Sequence, residues 1–145
     1  MNKRYLGFLF LFVSLCIWGC GGGKVGMSGK VTYSDDGSPL TIGTVWFTTD
    51  SFLARGDIDS DGVYRIGSLT TKDGLPPGKY RVYVSGAVKP NDASGSGNSM
   101  GSGMGGSGAP IPLIDPKFTS AGSSGIEVEV TPSLKTFDFK VDRAR

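Results

Sequence analysis

The sequence predicts an all-β fold, a sandwich of two sheets, on three observations. Beyond the first twenty residues, apolar side chains recur at every second position in short runs. Gly, Asp, Ser and Pro break the runs at turn-like intervals. No stretch carries the 3.6-residue period of an amphipathic helix. At 145 residues the chain has room for one domain.

The elements follow in order. Lys30–Tyr33 (KVTY) reads as a strand that ends in the turn Ser34–Ser38 (SDDGS). Thr44–Thr48 (TVWFT) puts Val45 and Phe47 on one face and Thr44, Trp46 and Thr48 on the other. Leu53–Asp59 and Val63–Leu69 flank an Asp-Gly turn. In Lys79–Val84 (KYRVYV), Tyr80, Val82 and Val84 point inward while Arg81 and Tyr83 point outward. Ile126–Val130 (IEVEV) and Phe137–Val141 (FDFKV) alternate in the same way. Seven short strands of this kind suit a two-sheet sandwich. The expected core is Val31, Val45, Phe47, Tyr64, Ile66, Tyr80, Val82, Val84, Ile126, Val128, Phe137 and Phe139. A domain of this size buries roughly two thirds of its unfolded surface, enough for a core without disulfides.

The turn between the third and fourth strands, DIDSDGVY (Asp57–Tyr64), carries Asp57, Asp59 and Asp61 at alternate positions before Gly62. That is the first half of a calcium loop, which also needs a bidentate glutamate at position twelve. Here position twelve is Ser68, and the flanks are strand-like. A hairpin explains every residue: Asp59 or Ser60 caps its own backbone, and Asp61-Gly62 supplies the positive φ of a tight turn. The stretch is read as a hairpin, with calcium at Asp57, Asp59 and Asp61 as the alternative.

Ser94–Gly108 holds seven glycines and five serines in fifteen residues. It cannot bury enough apolar surface to offset its ordering entropy and reads as a flexible loop inserted into the sandwich. Its two thioethers, Met100 and Met104, make a poor soft-metal site without cysteine or histidine.

The N-terminus is an address. Lys3 and Arg4 precede Tyr5–Trp18, an uncharged apolar run of fourteen. That is shorter than the roughly 20 residues a bilayer span needs and suits a secretory signal. Ile17-Trp18-Gly19-Cys20 then resembles the lipobox of bacterial lipoproteins, with Trp18 bulkier than the usual middle residue. The resemblance implies a signal peptide over 1–19 and a diacylglyceryl-modified, usually further acylated Cys20. A lipidated tether follows over 20–26 and the folded domain over 27–142. Two or three acyl chains anchor stably where a single chain does not. Gly21, rather than aspartate, follows the cysteine, which by the same resemblance favours the outer membrane. The expected address is the cell envelope, on the periplasmic or outer-membrane side.

With Cys16 lost and Cys20 lipidated, no thiol remains for a disulfide, a metal or catalysis. There is no histidine. Losing Lys3 and Arg4 from fifteen basic residues leaves thirteen against thirteen acidic ones, so nucleic-acid binding has no electrostatic support. Serine nucleophiles have no evident base, and the carboxylates fall in turns or on exposed strand faces. The expectation is a protein without catalytic residues or cofactor. An outward aromatic strip of Trp46, Tyr33 and Tyr83 is the candidate ligand surface, suited to stacking on a polysaccharide or docking a partner.

Several pieces together resemble one family: Gly29–Thr32, Pro39–Phe47, Asp59–Tyr64 and Gly74–Val84, above all Leu75-Pro-Pro-Gly-Lys-Tyr80. The tail, Leu113–Thr119, Gly125–Val130 and Phe137–Phe139, joins them. The order resembles the carboxypeptidase regulatory-like, transthyretin-like β-sandwich domains, in particular small bacterial lipoproteins built from one such domain. The resemblance covers 27–141 apart from the glycine-serine insertion. It implies a seven-stranded prealbumin-like, Ig-like sandwich with a non-catalytic role. Transthyretin-like hydrolases use histidines and a C-terminal Tyr-Arg-Gly-Ser-type motif; this chain has no histidine and ends Val141-Asp-Arg-Ala-Arg145.

Overall fold

A computed structural model describes residues 23–67, 73–91 and 108–145. The expected signal peptide, Cys20 and the Gly/Ser stretch 94–107 lie outside the described residues. The strands are β1 (Ser28–Tyr33), β2 (Thr44–Thr48), β3 (Leu53–Asp57), β4 (Val63–Arg65) and β5 (Gly78–Ser85). They continue with β6 (Val88–Asn91), β7 (Gly108–Pro112), β8 (Ile126–Val130) and β9 (Phe139–Val141). A 3₁₀ turn covers Pro116–Thr119, with Asp115 capping it through the Lys117 amide.

The chain is all-β and arranged as a sandwich. One sheet has the order β4-β1-β9, with β1 antiparallel to β4 and parallel to β9. The other is the antiparallel sheet β3-β2-β5-β8. Single bridges Arg55↔Gly67 and Ile58↔Tyr64 join β3 to β4, so the hairpin between them closes one side of the sandwich.

The two inner faces supply the core. Phe47 sits at its centre, with ring centroids 6.1 Å from Tyr64, 6.3 Å from Tyr80 and 6.3 Å from Phe137. Such edge-to-face and tilted pairs add to simple area burial. The Tyr64 ring is fully buried, and its hydroxyl donates to the Phe137 carbonyl. Gly29 makes room for that bond, because a Cβ there would meet Phe137 and lie 2.7 Å from the Tyr64 hydroxyl. Of the expected core, all but Ile126 and Phe137 are buried, and those two pack against its rim.

Three differences from expectation have physical causes. Val25 and Met27 are buried, and Val25 exchanges backbone hydrogen bonds with Leu75 at 2.6 and 2.9 Å. The expected tether therefore joins the fold at Val25 rather than after Gly26. The sandwich is also not limited to seven strands: β6 and β7 form an additional two-stranded ribbon at the mouth of the Gly/Ser stretch. Pro90, Pro110 and Pro112 hide it from a propensity reading, since proline is tolerated only where no ladder donor is needed. Finally, the fold runs past residue 142, because Arg143 bridges Ile114 and the Ala144 amide donates to Leu113.

Candidate functional site

The outer face of the four-stranded sheet carries two of the three candidate aromatics. Register sets Trp46 of β2 opposite Arg55 of β3 on one side and Tyr83 of β5 on the other. Cross-strand neighbours on one face lie within side-chain reach. The Trp46 and Tyr83 rings are accordingly stacked, 6.0 Å apart and 6° from parallel. The Arg55 guanidinium lies 5.6 Å from the Trp46 ring centre, a cation–π contact. Trp46 Nε1 donates to Ser85 Oγ at 2.7 Å. Both flat faces of the indole and its one donor are thus engaged within the sheet, and the ring is half-buried. Tyr83 is likewise half-buried, and beside it the chain is at Gly125, just before β8, where an added Cβ would meet nothing within 4 Å.

Next to this pair along the same face is a groove of about 420 Å³. Thr48, Asp50, Lys79, Arg81, Glu127 and Glu129 wall it, with Tyr80 and Val128 beneath. Register places Arg81 opposite Glu127 and Lys79 opposite Glu129, and Arg81 also reaches Asp50 at 3.3 Å. Three carboxylates and two cations therefore line the groove, one acidic group in excess.

Tyr33 does not belong to this strip. It lies on β1 in the other sheet and is buried. The Arg143 guanidinium covers its ring at 3.7 Å from the centroid. Alternation along a strand defines two faces but not the sheet to which a strand belongs, so the three aromatics could not be told apart by sequence.

The acidic turn is a hairpin. One Asp59 carboxylate oxygen accepts from the Asp61 and Val63 amides, both at 2.9 Å, and Gly62 has φ +79°. A Cβ at Gly62 would lie 2.7 Å from Pro39 Cβ, so the turn requires glycine on two counts. Asp57 accepts from the Thr44 hydroxyl at 2.9 Å. Among the described residues no three acidic, His or Cys side chains gather as a metal would require. Asp57 and Asp59 are each used by the backbone or by a neighbouring strand.

A third cluster, unforeseen from sequence, fastens the C-terminal end. Arg143 donates from Nε to Asp35 and from Nη2 to Asp36 and Ser38, all at 2.8 Å. Asp142 accepts from Lys117 Nζ at 2.5 Å and from the Ser34 hydroxyl. Bonds from Ser38, then the Arg143 charge, hold the Asp36 carboxyl well below the usual carboxylate range. The Lys117 bond, then the Ser34 bond, lowers that of Asp142. These pairs are exposed and clamp the tail to the turn after β1.

Among the described residues no helix is long and apolar enough to cross a membrane. No family model matches the chain, and no curated protein sequence does. A solved structure similar to it is that of a variant of BcpA, the major pilin subunit of Bacillus cereus. The similarity has a TM-score of 0.43 and 11% identity, over 84% of this chain and 30% of that one. This chain therefore spans less than a third of the pilin subunit's length.

Proposed function

We propose that this protein is a lipid-anchored, non-catalytic lipoprotein of the bacterial cell envelope, acting as a structural or protein-interaction module. In this reading its sandwich is of the carboxypeptidase regulatory-like, prealbumin-like kind, reached through a signal peptide over 1–19. The observation that carries it is where the fold begins. Val25 is already paired with Leu75 inside the sandwich. Four residues lie between it and Cys20, and those five extended steps cover at most about 18 Å. Such a leash suits a module that works at the membrane surface and not one that samples the envelope at a distance. The test is a lipid-labelling experiment with the wild-type chain and Cys20→Ser. The wild type should incorporate labelled fatty acid and sediment with membranes, and Cys20→Ser should do neither; equal behaviour of the two rejects the anchor.

A second reading, binding of polysaccharide, rests on the Trp46–Tyr83 stack beside the groove at Arg81. In this reading a sugar ring would stack on Tyr83, beside the space left by Gly125. In that case Tyr83→Ala should lower retention on envelope polysaccharide at least tenfold, while the scaffold reading expects no retention by either protein.

A further inference from the structure

The outer face of the three-stranded sheet carries cations that the fold does not use. Alternation and register turn Arg65 of β4, Lys30 of β1 and Lys140 of β9 away from the core. Lys135 lies just before Thr136, which bridges the first residue of β1. All four are exposed. Among the described residues none of them takes part in an ion pair. Of the carboxylates there, Asp138 stands beside Lys30 in the register and spends one oxygen on the Lys30 backbone amide at 2.7 Å. Asp142 is held by Lys117 and Ser34, so Lys30, Arg65 and Lys140 exceed the remaining negative charge. Elsewhere Lys117 and Arg143 are held by aspartates, Arg81 reaches Asp50 and Arg55 rests on Trp46, while Lys79 stands opposite Glu129 in the register.

The same sheet receives the chain from Cys20, since β1 is its middle strand and starts at Ser28, three residues after Val25. We infer that this face lies flat against the anionic phospholipid headgroups of the leaflet that holds the anchor. The inference rests on the lipidation proposed above. A leash of at most about 18 Å keeps the domain within one or two Debye lengths of the surface, roughly 8 Å each at physiological salt. Each basic residue brought to an anionic leaflet favours contact by roughly fivefold. The four-stranded face, where Asp50, Asp57, Glu127 and Glu129 outnumber Arg55, Lys79 and Arg81, gains less, and this asymmetry selects which face turns down. Among the described residues, an upright pose would present Lys135 and Lys24 at the anchored end, and Lys24 is paired with Asp73 at 2.6 Å.

The experiment uses the lipidated full-length mature protein on phosphatidylcholine vesicles with and without phosphatidylglycerol. Lysines are acetylated and the extent at each is read by mass spectrometry. On phosphatidylglycerol vesicles Lys30 and Lys140 should react severalfold more slowly than on neutral ones, and added salt should restore them. Lys79, on the opposite sheet, should react alike on both. Equal reactivity of Lys30 and Lys140 on the two compositions overturns the inference, as does equal protection of Lys79. Protection of Lys135 alone marks the upright pose and also overturns it. If the protein fails to float even with neutral vesicles, the anchor itself is wrong and the inference falls with it.

Discussion

The two outer faces of this sandwich are built from similar alternating strands and do opposite things with their charges. On the four-stranded face several groups meet a neighbour: Arg55 covers Trp46, Trp46 stacks on Tyr83, Arg81 sits by Asp50 and Thr44 donates to Asp57. The carboxylates Asp50, Asp57, Glu127 and Glu129 there outnumber the cations Arg55, Lys79 and Arg81. On the three-stranded face Lys30, Arg65 and Lys140 stand apart from any described carboxylate partner. A face that satisfies itself needs no partner, whereas unpaired cations are well solvated and free to meet an external anion. Surface pairs add little to stability in either case. The difference between the faces should therefore show in binding and orientation, with folding resting on the core they share.

That division predicts the order of mutational effects. Phe47→Ala removes the ring that three aromatics pack against and should cost about 3–5 kcal/mol in chemical denaturation. Phe137→Ala, at the half-buried rim, should cost clearly less, and equal losses would mean the core is centred elsewhere. Gly29→Ala should cost roughly 1–3 kcal/mol by overpacking, because the Phe137 carbonyl and Tyr64 hydroxyl fill the space its methyl needs.

Alkali should act on the same buried point. Burial, and secondarily Asp138, pushes the Tyr64 hydroxyl far above the ordinary tyrosine value of 10.0. The unfolded chain then releases that proton first as pH rises, so the neutral hydroxyl's contribution is intact below about pH 10 and lost above it. Tyr64→Phe should lower stability by about 1 kcal/mol at neutral pH through the lost hydrogen bond. It should also make the alkaline decline shallower, as read from melting temperature against pH. An unchanged alkaline slope would place the sensitivity in Tyr33 or Tyr80, whose hydroxyls burial also raises.

Smaller effects belong to the faces. Arg55→Ala or Tyr83→Ala should cost less than about 1 kcal/mol by unstacking Trp46, visible as a change in its fluorescence. Lys30→Gln with Lys140→Gln should leave stability within about 0.5 kcal/mol of wild type, as expected of solvated positions. A larger loss there would mean the cations serve the fold and would erase the contrast between the faces. Calcium should move the melting temperature least of all. A specific site at a hundredfold its dissociation constant would add about 2.7 kcal/mol, and the hairpin geometry of Asp59 predicts no such rise.

Much of the scaffold was legible because strand alternation is a local signal. Val45, Phe47, Tyr80, Val82 and Val84 declare their inward face within five or six residues. What escaped depends on distant pairing or on residues that locally argue the other way. Arg143 meets Asp35 across 108 positions, and nothing in Val-Asp-Arg-Ala-Arg announces it. Val25 sits in a glycine-rich stretch and reads as tether, yet it is buried because Leu75 pairs with it. The β6–β7 ribbon is masked by three prolines. Tyr33 was misplaced because period two reports a face and is silent about which sheet the strand joins. Of the candidate site, the Trp46–Tyr83 pair was readable from its outward parity, while Arg55 above it required the register.

The central claim is that this sandwich is held at the membrane by Cys20 through the four residues before Val25. Mass spectrometry of the mature protein extracted from its native envelope tests that most directly. The account predicts an N-terminal peptide beginning at Cys20 and carrying a diacylglyceryl group, with or without a further acyl chain on its amine. An unmodified chain that begins at any other residue would contradict it.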